Sequence, residues 1–175
     1  AVVLSPNCVD LFNPKTVRAT MSSIFNVPIM QADDSIEALT QMKKAGILNS
    51  DISRVLSYLG HTDTICIGDC GLPIPDEVER VDLALCFGEP TFMRTLEIVA
   101  ADMKIEKIVL AEEIKTQNPA VLSEIEKLFE GQNIEVAYVS HTELKTQTHD
   151  CKAVIRTGET TPYANIILQA GCIFA

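Results

Sequence analysis

From Met42 onward, short apolar runs alternate with capped helical segments, and that alternation leaves few folds open. Residues 64–69, 105–111, 134–139, 153–156 and 165–174 read as strands, and 81–87 is a further apolar run. Between them, residues 51–59 place Ile52, Val55, Leu56 and Leu59 on one helical face, with Ser50 as the N-cap and Gly60 as the stop. Pro90 opens a helix to Met103, Asn118-Pro119 caps and starts one that runs to Phe129 before Gly131, and residues 142–148 form a short one. Strands separated by helices pair in parallel and are covered on both faces. The expected class is therefore α/β, a parallel-rich sheet with helices on both faces. In such sheets ligands bind beyond the carboxyl ends of the strands.

The first 41 residues have a different texture. They predict a strand at 1–4, a helix capped by Asn13-Pro14 that runs to Phe25, a strand beginning at 26–29, and a weak helical stretch from Asp33-Asp34-Ser35 to near Met42. One strand-helix-strand piece has too little surface to bury a core of its own. The expected organisation is an N-terminal fragment, 1–41, ahead of one domain, 42–175.

Bulk properties remove several function classes. A formal net charge of -10 argues against a nucleic-acid partner, because such affinity comes largely from Lys and Arg displacing counterions. No apolar run approaches the roughly 20 residues that span a bilayer, so no membrane partner is expected and the chain is read as soluble and cytoplasmic. The six cysteines, Cys8, Cys66, Cys70, Cys86, Cys151 and Cys172, form no CxxC pair and lie mostly in apolar stretches. They read as buried free thiols in a reducing compartment, and no zinc site is expected.

Histidine chemistry has three candidates, His61, His141 and His149. His61, in Gly60-His61-Thr62-Asp63, precedes a strand, and Asp69 ends that strand. Pro162-Tyr163-Ala164-Asn165 precedes the last one. A histidine, a carboxylate, a phenol and an amide at strand ends suffice for proton transfer on a polyhydroxylated substrate. Each also has a plainer reading. His61 can be a loop histidine bonded at a helix end, Asp69 a turn cap, and His141 a helix cap with Lys145 a solvated charge one turn later. Tyr163 and Asn165 flank Ala164, so in an extended chain they point to one side, a spacing suited to gripping two hydroxyls or to a pre-strand turn. His149 reads as exposed, and Glu112 and Glu113 as possible surface carboxylates.

Residues 42–175 resemble the D-ribose pyranase family of sugar mutarotases over their whole length. The resemblance rests on Gly46-Ile47-Leu48-Asn49-Ser50-Asp51-Ile52-Ser53, Leu59-Gly60-His61-Thr62-Asp63, Gly71-Leu72-Pro73-Ile74-Pro75, Ala111-Glu112-Glu113-Ile114-Lys115 and Gly158-Glu159-Thr160-Thr161-Pro162-Tyr163-Ala164-Asn165-Ile166-Ile167-Leu168, in that order. It implies an isomerase that interconverts the pyranose and furanose forms of D-ribose without any cofactor. It further implies His61 as the proton donor, Asp69 as a substrate or relay carboxylate, and His141, Tyr163 and Asn165 at the sugar; Lys145 joins them through sharing a helix face with His141. A ring-like homo-oligomer is implied as well. The alternative function is a sugar-binding or scaffold protein that keeps the pocket without catalysis.

Residues 1–31 resemble the middle motif of the knotted RNA 2'-O-ribose methyltransferases through Asn13-Pro14-Lys15, Val17-Arg18-Ala19-Thr20-Met21 and Phe25-Asn26-Val27-Pro28-Ile29. Ser22 stands where that family has glycine, and the family's other motifs, which complete its cofactor pocket and knot, are missing. Methyl transfer is not expected.

One geometric expectation follows from the strand at 64–69. At roughly 3.3 Å per residue, His61 and Asp69 of one chain lie on the order of 20 Å apart. They cannot meet within one subunit, so the expected site is shared between neighbours.

Overall fold

The structure is a computed structural model that describes residues 2–4, 13, 29–31 and 46–172. It divides into two compact units, Ala1–Gly46 and Ile47–Ala175. In the first, strand β1 (Val2–Leu4) pairs in parallel with β2 (Ile29–Gln31), Val2 opposite Ile29. The helix expected up to Phe25 and the helical stretch expected before Met42 lie outside the described residues.

The second unit is built on a six-stranded sheet. In chain order its elements are α1 (Ser50–Tyr58), β3 (Thr64–Gly68), β4 (Glu79–Asp82), α2 (Phe92–Asp102), β5 (Ile105–Ala111), α3 (Ile114–Gln117), α4 (Pro119–Phe129), β6 (Glu135–Val139), α5 (His141–Gln147), β7 (Ala153–Arg156) and β8 (Ile166–Ala170). The strand order is β4-β7-β3-β8-β5-β6. Pairing is parallel except for β8, which runs antiparallel to both β3 and β5. The sheet is thus parallel-rich, as expected, with β8 its one reversed strand. An apolar segment such as Ile166-Ile167-Leu168 fits a central strand in either direction, because burial on two faces does not encode polarity.

Alternation along the strands sorts their side chains between two apolar layers. Ile65, Ile67, Ile108, Leu110, Ala153, Ile155, Ile166 and Leu168 face one layer, where Ile52 and Val55 of α1, Phe92, Leu96 and Val99 of α2, and Val121, Ile125 and Phe129 of α4 cover them. Cys66, Val109, Ala111, Val154 and Ile167 face the other, under Leu72, Val78 and Leu144 of α5. Helices therefore cover both faces, as expected for this class.

Capping chemistry sets the helix starts, and three differ from expectation. Asn49, not Ser50, caps α1, because its Oδ1 accepts from both the Asp51 and Ile52 amides. Thr91 caps α2, its hydroxyl oxygen accepting from the Arg94 amide, so Pro90 lies outside the helix. Ser140 caps α5 and His141 occupies its first position. Asn118 and Pro119 start α4 as expected. The apolar run 81–87 contributes a strand only up to Asp82; beyond it, Leu85 and Phe87 are each 86% exposed in a loop. Among the described cysteines, all free, Cys66 and Cys151 are buried, Cys70 and Cys172 are half-buried, and Cys86 is exposed. The expectation of buried thiols thus holds for two of these five. Burial pushes the Cys66 thiol well up and takes the Cys151 thiol to about 11.

The loop that carries Leu85 and Phe87 is fastened at Gly158, which accepts from the Gly88 amide at 2.6 Å and donates to the Pro90 carbonyl at 2.9 Å. A Cβ on Gly158 would overlap the backbone oxygens of Glu89 and Cys86 and the Glu89 nitrogen. Backbone cannot swing aside as a side-chain tip can. Gly158→Ala is therefore expected to cost about 3 kcal/mol, the upper end of ordinary overpacking penalties, read as a lower urea midpoint at unchanged slope. An unchanged midpoint would mean that the loop is not held there.

Candidate active site

The carboxyl edge of the sheet gathers five of the six residues singled out in the sequence. Asp69 follows β3, and Asn165 precedes β8; because β8 runs antiparallel to β3, the two meet side by side. The Asn165 Oδ1 accepts from the Asp69 amide at 2.9 Å, and its Nδ2 donates to Asp69 Oδ2 at 2.8 Å. Asp69 Oδ1 accepts from the Gly71 amide at 2.9 Å. The carboxylate is thus fixed by two N–H donors while each oxygen keeps a lone pair for a ligand hydroxyl. Asn165 is fully buried, and Gly68 makes room for it, since a Cβ there would lie 2.9 Å from Asn165 Oδ1 and 2.6 Å from Leu72 Cδ2.

His141 reaches the same edge from the end of β6, through the first turn of α5. Its backbone amide donates to both oxygens of Glu113, at 3.1 and 2.9 Å. Its ring stands edge-on to Tyr163, with centroids 5.0 Å apart at 84°. Its Nδ1 is buried and has no hydrogen-bond partner among the described residues, leaving an orphan that a ligand hydroxyl or water would satisfy. Tyr163 adopts φ 59°, so Tyr163 and Asn165 are not brought to one side by extended chain, as the sequence suggested. A turn directs the phenol instead. That turn is pinned by the buried Asn118, whose Nδ2 donates to the Thr161 hydroxyl at 3.0 Å and the Pro162 carbonyl at 2.9 Å.

Burial lowers the His141 pKa, and the nearby Lys145 ammonium lowers it further, while Glu113 and Asp69 act in the opposite direction. A depressed folded value means that the unfolded chain takes up the proton first as pH falls. The stability His141 contributes is therefore present above the ordinary value of about 6.5 and is lost as pH drops below it. Melting temperatures are expected to decline between about pH 7 and pH 5.5, and to decline less in His141→Gln. Parallel declines in the two proteins would assign the effect to other groups.

His61 lies at the opposite edge. It precedes β3, in a turn tied to the end of β8 by the Thr62 amide donating to the Ala170 carbonyl at 2.9 Å. The whole of β3 therefore separates His61 from Asp69. The His61 side chain is 54% exposed, and its Nε2 lies 3.1 Å from Glu106 Oε2. His149 is exposed, as expected, and pairs with Glu77.

Sequence reasoning missed Glu106 as the partner of His61, and it left Glu113 among the surface carboxylates. Glu113 had a signal, the shared end of a strand that also feeds the site; Glu106 had none, since its contact depends on strand register.

The described residues hold no group of three or more His, Cys, Asp or Glu placed to take a metal ion. No described helix is long and apolar enough to cross a membrane.

Residues 42–173 match the RbsD / FucU transport protein family. The chain belongs to that family. Among curated relatives, the D-ribose pyranase of Bacillus cytotoxicus is 57% identical over 133 residues, covering 76% of this chain and all of that protein. A D-ribose pyranase of Bacillus cereus is 58% identical over 134 residues, with the same coverage. Among solved structures, Bacillus subtilis RbsD in complex with D-ribose superposes with a TM-score of 0.71 at 51% identity, covering 74% of this chain and 97% of that one. The fucose mutarotase of Streptococcus pneumoniae, in complex with L-fucose, gives 0.62 at 21% identity over 72% of this chain and 94% of its own. That likeness is one of fold. The mixed six-stranded sheet with covered faces is thus the RbsD / FucU architecture.

Proposed function

We infer that this chain is a D-ribose pyranase, an isomerase that interconverts the pyranose and furanose forms of D-ribose. The observation that carries the reading is the match, over their full length, to D-ribose pyranases at 57% and 58% identity. The carboxylate, amide, phenol and imidazole convergent on one sheet edge support it.

The chemistry needs one acid and one base used twice. A base takes the proton of the anomeric hydroxyl, the C1=O1 double bond forms, the C1–O5 bond breaks, and an acid protonates O5. In the open aldehyde the 4-hydroxyl then attacks C1, its proton returns to the group that acted as acid, and O1 recovers a proton from the group that acted as base. Both catalysts end as they began. We assign the acid to His61 and the carboxylate relay to Asp69, with His141, Lys145, Tyr163 and Asn165 holding hydroxyls. Asp69 suits its role because its geometry is fixed by N–H donors on both oxygens. His61 suits its own because its imidazole is accessible and can carry a proton on either ring nitrogen.

Their separation by the length of β3 leads us to propose a homo-oligomer in which His61 of one subunit completes the site of its neighbour. Such a head-to-tail contact closes into a ring when the rotation allows. We further propose residues 42–175 as the pyranase domain, acting in the cytoplasm on D-ribose without nucleic-acid or membrane partners. Residues 1–41 are proposed as an appended segment from the strand-helix-strand middle motif of a knotted RNA methyltransferase; the parallel pairing of β1 and β2 supports that part.

Magnetisation-exchange NMR on D-ribose tests the reading. Line exchange between pyranose and furanose signals that rises in proportion to added protein is expected. Ribose binding without faster exchange would instead establish a sugar-binding protein.

A further inference from the structure

At the edge of the sheet opposite Asp69, His61 meets an arrangement to which the reaction above assigns no role. Along β5 and β8, Ile105 pairs with Ala170 but Lys107 pairs with Gln169, so the ladder slips at Glu106. One residue of β5 is therefore surplus to the ladder. Such a bulge frees a residue from the regular pleat and re-aims its side chain, a device common beside active sites. The side chain it re-aims is Glu106, and the group it meets is His61, with Glu106 Oε2 3.1 Å from the imidazole Nε2.

Glu106 is held from its other side. Gln169 Nε2 donates to Glu106 Oε1 at 2.6 Å, so each carboxylate oxygen has its own partner. Gly171 leaves the space this packing uses, since a Cβ there would lie 3.1 Å from Glu106 Cβ and 3.3 Å from Oε2. The bond to Gln169, and after it the contact with His61, hold the Glu106 carboxyl below the usual range, so it is an anion at neutral pH.

We propose that Glu106 is the positioning residue for His61: it accepts the Nε2–H, fixes the ring plane, and leaves Nδ1–H as the proton delivered to the sugar. This deepens the pyranase reading and rests on it. An imidazolium carries two N–H groups, and an exposed ring turning about two side-chain torsions offers either one in many directions. A carboxylate that occupies one of them selects the other and removes most of the orientations. The arrangement has the logic of a catalytic dyad oriented by a third group, with Gln169 steadying the carboxylate as the carboxylate steadies the ring.

The test uses the full chain and measures exchange as a function of ribose concentration, separating kcat from KM. Glu106→Gln is expected to lower kcat about ten- to a hundredfold, because the amide keeps an acceptor but loses the charge and is free to flip. KM should stay within about twofold, since the sugar is held at the opposite edge of a neighbouring subunit. Gln169→Leu, which leaves both His61 and Glu106 in place, should lower kcat by about threefold, again without moving KM. Glu106→Asp should recover part of the loss. Wild-type kcat in Glu106→Gln, or a loss expressed in KM, overturns the proposal while leaving the pyranase reading intact. An inactive wild-type chain, or His61→Ala at full rate, overturns both. If Glu106→Gln fails to fold, Gln169→Leu decides: unchanged kcat there counts against the proposal.

Discussion

Replacing His61 with alanine is expected to slow pyranose–furanose exchange by about 10²- to 10⁴-fold, the usual contribution of a positioned acid or base. Ribose affinity should change by less than roughly threefold, because the residues proposed to hold hydroxyls lie at the other edge of the sheet. The variant should also fold normally. The imidazole is more than half exposed, and among the described residues its side-chain partner is Glu106 and it belongs to neither apolar layer. Surface changes of that kind fall within about 0.5 kcal/mol. Exchange NMR alongside a ribose titration separates the two quantities. Exchange at the wild-type rate would remove His61 from the chemistry, and a collapse of affinity would make it a binding residue.

Mixing two inactive variants should restore activity. His61→Ala and Asp69→Ala each disable every site of a pure oligomer, but in different halves of it. If each site takes Asp69 from one subunit and His61 from the next, random co-assembly leaves about one site in four with both residues intact. Co-refolded mixtures are therefore expected to regain about a quarter of the wild-type exchange rate, against almost none for either variant alone. Sites contained within single subunits would regain nothing. Asp69→Ala breaks a fixed network, since the Asn165 side-chain amide and the Gly71 backbone amide both lose their acceptor, so a cost of about 1–3 kcal/mol is expected with it. Asp69→Asn keeps the shape and serves as the milder partner in the same mixture.

Most strands and helices of residues 47–172 were legible because they are written in local chemistry, whereas the short helix Ile114–Gln117 and the strand Glu79–Asp82 were not. Ile105–Ala111 and Ala153–Arg156 are apolar runs of strand length between capped helices, and Asn118-Pro119 is both a cap and a first helical residue. What escaped was whatever depends on partners distant in sequence. Nothing in Ile166-Ile167-Leu168 states that β8 runs against its neighbours, yet that reversal seats Asn165 on Asp69. The left-handed backbone of Tyr163 defeats the alternation rule that seemed to pair it with Asn165. Leu85 and Phe87 belong to an apolar run and yet are exposed, because the chain leaves the ladder at Asp82. Of the site, residue types at strand ends were readable. Which ones touch was not, and the Glu106 contact is invisible without the slip in register that creates it.

The antiparallel course of β8 has a mechanical consequence. Asn165, just ahead of this strand, steadies Asp69, while Gln169, four residues further on, steadies Glu106 beside His61. If sites are shared between subunits as proposed, the same short rod ends in one reaction chamber at its start and in the adjoining chamber at its finish. Any axial slip of that rod would detune two chambers together, whereas a side-chain change at either tip would spare one of them. In a closed ring, rods laid tip to tip would form a continuous hoop, in which the spacing between successive chambers is set by the backbone of a single strand.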